Sequence, residues 1–300
     1  MKKFLFLALA ALSLASCSEE PKPEAGDKKV GVLLVNHGSH SETWRTMLLD
    51  VENNVKADIL NYEGVEEVRT AFMEYNEPSI ATQLKWFDDN GYTDVILVPI
   101  FLTVSSHYSH DIPVIAGISS DPKIMESLEK EKIEVYKAKA RVTITPPLDF
   151  TTLLKKNVAR RVEALSKDPS NESVLLVAYG DEQYNQQWEE MVSEIGKYLK
   201  VKTKHEMIAY AWCGHIVHYS SEPTTQGIEK LMEFEDNVLV IPVLVANDEH
   251  FQGEIIQNGV DAAPMSATHV KYKQDAILPD ANLDQWVRDI TKETLKAIKK

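Results

Sequence analysis

The chain has 300 residues, 44% hydrophobic and 26% charged, ordinary globular proportions that exclude disorder, a collagen repeat and a polytopic membrane protein. Acidic side chains outnumber basic ones 46 to 32, for a net charge of -14, which argues against nucleic acid or an anionic membrane surface as the main partner. Two cysteines are too few for a disulfide framework or a cysteine-rich zinc module.

Lys2 and Lys3 precede an apolar run from Phe4 to Leu14, then Ala15, Ser16 and Cys17. This is the order of a secretory signal, too short for a stop-transfer helix. Leu14-Ala15-Ser16-Cys17 resembles the bacterial lipobox, whose cysteine is acylated and becomes the first residue of the mature chain. Residues 1–17 are therefore expected to be a lipoprotein signal with its lipidated cysteine. Residues 18–29, polar and proline-bearing, are expected to be a flexible tether. The expected location is exported, lipid-anchored to a bacterial membrane on its periplasmic or cell-surface face. Cys213 is then the one internal thiol, so no disulfide between folded segments is expected.

Short apolar strands then alternate with amphipathic helices. Val30–Val35 is a continuous apolar run, as expected of a parallel strand covered on both faces. Thr43–Leu60 has helical spacing, Glu67–Met73 reads as a strand, and Pro78–Asn90 as a helix with Gly91 just past its end. Asp94–Leu102 and Lys132–Val142 read as further strands. The pattern restarts at Ser173–Ala178, Glu222-Pro223 echoes Glu77-Pro78, and Asn237–Val245 echoes Asp94–Leu102 with Pro242 in the place of Pro99. Proline is unusual inside a central strand, so the matching prolines point to duplication. The expected fold class is α/β, two tandem parallel-sheet βαβ domains facing a central cleft. Their expected extents are residues 30–145 and 146–300.

In parallel sheets, ligands bind where the strands end in loops. Asn36-His37-Gly38-Ser39-His40 follows the first strand, Glu74 ends the second, and Thr103 to Asp111, with His107 and His110, follows the third. Four of the nine histidines in the chain collect on this edge. Glu74 ends an otherwise apolar strand, where an unpaired carboxylate is costly unless it meets a cation or a donor. His107 and His110, three apart, are expected on one face of a turn, and His40 at the rim. Neutral imidazoles beside a carboxylate suit divalent Co, Ni, Fe or Zn, so the residues alone suggest an open transition-metal site. There is no GxGxxG after a strand, no P-loop, no HExxH and no GxSxG, so nucleotide-binding, zincin and nucleophile-elbow readings lack their central residues. His215 and His218 have metal-like spacing but no further ligands nearby in sequence, and a structural role is expected for them.

LLVNHGSH, FMEYNEPSI and VPIFLTVSSHYSHDIP, in that order and approximate spacing, resemble the signature segments of the class II sirohydrochlorin chelatases of the CbiX type. The resemblance covers residues 30 to 113 and extends through the repeat to about residue 270. It implies the chelatase fold and insertion of a divalent metal, usually cobalt, nickel or iron, into a tetrapyrrole without a nucleotide. By the same resemblance His37 and His107 match the family's metal-binding, catalytic histidines and Glu74 an acidic residue that assists them. Ser39, His110 and His250 are expected on the substrate, with His110 also moving protons. Two departures are visible. Tyr179 stands where the second half would carry a histidine, and Ser105-Ser106 replaces the family's glycine before His107. One working site, in the first half, is expected, with the second half closing the cleft and His250 reaching in from across it.

The expected partners are a tetrapyrrole and, through the anchor, a membrane; a duplicated chain is expected to be a monomer. A competing expectation is a non-catalytic carrier of metal or haem-like tetrapyrrole that feeds a transporter, motivated by Tyr179 and the anchor. Removal of metal from a scavenged ring would use the same ligands in reverse.

Overall fold

The computed structural model describes residues 28–149 and 152–299. The expected signal, Cys17 and the expected tether as far as residue 27 lie outside the described residues. Among the described residues, no helix is long and apolar enough to cross a membrane.

The first half runs β1 (Val30–Asn36), α1 (Glu42–Ile59), β2 (Val65–Phe72), α2 (Ile80–Asp89), β3 (Asp94–Pro99), α3 (Ile112–Ile115), α4 (Pro122–Lys130) and β4 (Arg141–Ile144). After α5 (Thr152–Leu165) the second half runs β5 (Glu172–Ala178), α6 (Asn185–Lys202), β6 (Ile208–Trp212), α7 (Glu222–Leu231) and β7 (Asn237–Val243). It ends with α8 (Gln257–Ala262), α9 (Ser266–His269), β8 (Val270–Tyr272) and α10 (Ala281–Ile298). Each half builds a four-stranded sheet, in the orders β2-β1-β3-β4 and β6-β5-β7-β8, with every pair parallel. The duplication is visible in the register: Pro99 sits opposite Val35 and Pro242 opposite Val177.

The strands are apolar throughout because both faces are covered. Val30, Val32 and Leu34 of β1 enter a core shared with Val174, Leu176 and Ala178 of β5. Leu33 and Val35 enter an outer core under α2, α3 and α4, while Leu175 and Val177 enter its counterpart in the second lobe. Between the sheets the closing helices are exchanged. The helix that ends the first repeat, α5, packs on β7 and α6, while α10 returns to pack on α1 and β3. Asn54 donates to Asp284 at 3.1 Å along this return. The two lobes are thereby welded through one continuous apolar layer.

The fourth strand is shorter than its alternation suggests, starting at Arg141 rather than Lys132. Ile133, Val135, Tyr136 and Ala138 do pack on the outer core, but their backbone bonds lie outside a ladder. Tyr136 N–H donates to Ile115, and the Lys139 and Ala140 N–H groups donate to the Asp88 carboxylate.

Candidate metal centre

His37 is placed by backbone. Its carbonyl, just past β1, accepts from the N–H groups of Met73 and Glu74 at 3.1 and 2.9 Å, pinning the ends of β1 and β2 together. Gly38 follows at φ +111°, and a Cβ there would sit 2.0 Å from the Glu74 carbonyl oxygen, so only glycine permits this close approach. His37 Nδ1 donates to the Gly38 carbonyl at 3.0 Å, which leaves Nε2 as a bare acceptor.

His107 is placed by a π-helical turn, His107–Asp111, of the kind that recurs at functional sites. Its Nδ1 donates to Asp111 Oδ2 at 2.7 Å, so its Nε2 is also bare. The two Nε2 atoms stand 3.3 Å apart, and Glu74 Oε1 lies 3.0 Å from that of His37. Two nitrogens on bonds of about 2.0–2.1 Å to one tetrahedral ion are separated by about 3.3 Å, which is the spacing found. With both imidazoles neutral, two bare nitrogens and a carboxylate converge, so a cation must sit among them, either a metal ion or a proton on an imidazole. Among the described residues no three His, Cys, Asp or Glu side chains complete a metal cage. The site is an open pair of imidazoles with a carboxylate beside one of them, suited to an ion in transit.

The electrostatics agree. Burial would raise the Glu74 carboxyl, but the His37 imidazole bonded to it and the nearby His107 hold it below the ordinary range. Burial would lower His107, yet the Asp111 carboxylate, helped by Glu74, raises it above the usual value. Burial, Glu74 and then Tyr219 push Tyr75 up to about 12, so its hydroxyl stays protonated.

The pair opens on a cleft of about 600 Å³ between the lobes, walled on one side by residues after β1 and β3 and on the other by Tyr179, Tyr219, His250 and Phe251. The second lobe repeats part of the site. His250 Nδ1 donates to Glu254 at 3.0 Å, the same four-residue spacing as His107 and Asp111. The partner imidazole is missing. Tyr179, in the place of His37, has its oxygen 3.4 Å from that of Tyr219 and its ring beside His215 and Phe251.

Not every residue singled out in the sequence meets the pair. The wide i→i+5 bonding of the π turn sets His110 apart from His107 and brings Asp111 under it instead. His110 Nε2 bonds the Tyr184 hydroxyl at 2.9 Å and the Gln183 amide at 3.1 Å, a contact between lobes rather than a cleft wall. Ser39 lines the cleft, but its hydroxyl donates to Asp248 at 2.6 Å. Across the pseudo-twofold axis, the Ser106 hydroxyl donates to Asp181 at 2.8 Å. These serine–aspartate bonds tie both histidine-bearing loops to the second lobe. His40 sits at the rim, its ring centroid 4.7 Å from that of Tyr75 and tilted 45° to it. His215 lies on the cleft wall and His218 takes a left-handed backbone, φ 52°. Asp111, already placed on this edge by the sequence, proves to be the carboxylate behind His107, with the i+4 spacing that His250 and Glu254 repeat. Tyr75, Asp181 and Asp248 join the site without having stood out in the sequence.

Comparison with known proteins agrees with this architecture. Residues 31–165 match the family model described as CbiX. A sirohydrochlorin cobaltochelatase of Saccharolobus islandicus is 31% identical over 121 residues, covering 40% of this chain and 84% of that protein. The corresponding Saccharolobus solfataricus protein is 29% identical over 133 residues, 44% of this chain and 93% of its own length. Among solved structures, the sirohydrochlorin chelatase SirB from Bacillus subtilis subspecies spizizenii in complex with cobalt superposes with a TM-score of 0.63 at 17% identity. That alignment covers 89% of this chain and 95% of SirB. SirB from Bacillus subtilis with Fe3+ gives 0.64 at 19%, with the same coverage. The matched span contains His37, Glu74 and His107 together, and the chain belongs to the CbiX family of metal chelatases.

Proposed function

We propose that the chain inserts a divalent transition metal into sirohydrochlorin or a related tetrapyrrole, with cobalt as the first metal to test and nickel and iron next. The observation that carries this reading is the pair of bare Nε2 atoms 3.3 Å apart, each imidazole fixed by a bond from its other nitrogen. His37 and His107 receive the ion as ligands that can let go, and the ring nitrogens replace them. Four metal–nitrogen bonds form with the ring, two of them to nitrogens whose N–H bonds break, so the charge balances only if two protons leave. Glu74, within 3.0 Å of His37, is the base that accepts them and passes them to water in the cleft. No change of oxidation state and no nucleotide enters this balance. The second lobe supplies the opposite wall, with His250 facing the ring. Relatives named as cobaltochelatases and the match to the cobalt complex of SirB support the metal and the ring. The leader and Cys17 support an exported, lipid-anchored chain that works outside the cytoplasm.

The test is absorbance-monitored insertion of Co2+ into sirohydrochlorin. Many product molecules per chain are expected for the unaltered protein. His37→Ala and Glu74→Gln are expected to lower the rate by about 10²-fold or more. Product that stops at one per chain would instead identify a carrier.

A further inference from the structure

Two tyrosines occupy matching places in the two lobes. Tyr75 follows β2 and Tyr219 follows β6, each a few residues before the Glu-Pro that leads into the next helix. Both have left-handed backbones, φ 64° and 58°, a conformation that costs a bulky residue energy and that clusters at functional sites. A glycine or asparagine would have met the turn at lower cost. The two residues remain 58% and 46% exposed, although aromatic side chains gain most when covered. Both line the inter-lobe cleft. The Tyr75 ring lies 6.1 Å from His37, and the Tyr219 ring lies 6.3 Å from both His250 and Phe251.

Strained backbone, uncovered ring and a position beside an imidazole recur together on both sides of one cavity. This is what a flat ligand with two faces requires, one aromatic surface from each lobe. We propose that Tyr75 and Tyr219 are substrate-positioning residues that stack on the flat conjugated ring of the tetrapyrrole and hold it over His37 and His107. This rests on the chelatase reading above. Stacking is sequence-tolerant and geometry-tolerant, because it uses the face of the π system rather than directed hydrogen bonds. The ring's carboxylate substituents are left to other groups at the mouth of the cleft.

The experiment is an absorbance titration of the full protein with metal-free sirohydrochlorin, alongside a separate titration with Co2+ alone. Tyr75→Leu and Tyr219→Leu should each weaken binding of the ring about tenfold, and the double variant more. Tyr75→Phe and Tyr219→Phe should stay within about twofold of the unaltered protein. Affinity for Co2+ should not move in any of them. Tyr75→Gly adds a readout that a structural role would not give. It should weaken ring binding while melting no lower than the unaltered protein, because glycine relieves the left-handed strain. Ring affinity unchanged in the leucine variants would overturn the stacking role while leaving the chelatase reading intact. No binding of metal-free sirohydrochlorin by the unaltered protein would overturn both.

Discussion

Asp111 accepts the Nδ1 proton of His107 at 2.7 Å, and that bond sets which nitrogen of His107 faces the cleft. A carboxylate behind an imidazole fixes the tautomer, orients the ring and strengthens the exposed nitrogen as a ligand, an effect typically of about 10–100-fold on metal affinity. It also raises His107 above its ordinary pKa. Protons therefore compete with metal for Nε2 up to a pH above about 6.5, the usual histidine value. Asp111→Asn keeps an acceptor but removes the charge. Its Co2+ affinity should fall at least about tenfold at pH 8, while the acid limb of binding moves to lower pH. Calorimetric titration across pH 5 to 8 reads both effects, and an acid limb that stays in place would remove Asp111 from this role.

Gly38→Ala should disrupt the site from behind. The added methyl would lie 2.0 Å from the Glu74 carbonyl, at a φ of +111°, so either the β1 loop or the end of β2 must shift. A loss of about 2 kcal/mol or more is expected, together with loss of Co2+ binding. Gly91, at φ +72° with no atom within 4 Å of where an added methyl would stand, provides the contrast. Gly91→Ala should cost only about 1 kcal/mol and leave Co2+ binding alone. Denaturant unfolding of the two variants separates collision from backbone strain.

Acid sensitivity should centre far from the cleft, on Glu172. This carboxylate is 2% exposed at the start of β5, where it accepts from Lys271, the Ser166 hydroxyl and the Lys167 N–H. Burial would raise it, but the Lys271 ammonium and these donors outweigh burial and lower it to about 2. A depressed acid stabilises the fold above its unfolded pKa of about 4.3, and the contribution is lost as pH falls from there toward about 2. Glu172→Gln should cost about 1–3 kcal/mol at pH 7 and flatten the decline of stability between pH 5 and 2. An unchanged slope in urea titrations at these pH values would assign the acid response elsewhere.

The proposed lipid anchor makes a separate prediction. With Cys17 intact the protein should sediment with membranes and incorporate labelled fatty acid. Cys17→Ala should move it to the soluble fraction while its insertion rate in detergent-free assay stays unchanged. Equal partition of both forms would remove the lipid.

The α/β class was legible because strands covered on both faces have little choice but to be apolar throughout, as in Val30–Val35. The duplication was legible because a strand proline is rare, and Pro99 and Pro242 occupy the same register. Exchange of α5 and α10 between lobes left no mark in the sequence, since an amphipathic helix presents the same stripe to either sheet. The false start of β4 had a similar cause. Ile133 and Val135 are apolar because they pack, and packing does not require a ladder. At the site, His37 and His107 were findable from the loops they occupy. The separation of His110 was not, because three-residue spacing puts side chains on one face of an ordinary helical turn and not of the wider π turn. Tyr75 and Tyr219 were invisible for another reason, since positive φ at tyrosine is a property of the folded loop and has no signature in the residue type.

The central claim is that His37 and His107 hold one ion between them. The direct measurement is X-ray absorption of the Co2+-loaded protein combined with metal stoichiometry in single and double histidine variants. One Co2+ per chain is expected, with two imidazole nitrogens at about 2.0–2.1 Å, reduced to one imidazole and a much weakened affinity in either His37→Ala or His107→Ala. Cobalt bound with undiminished affinity and unchanged imidazole scattering in the double variant would contradict the account.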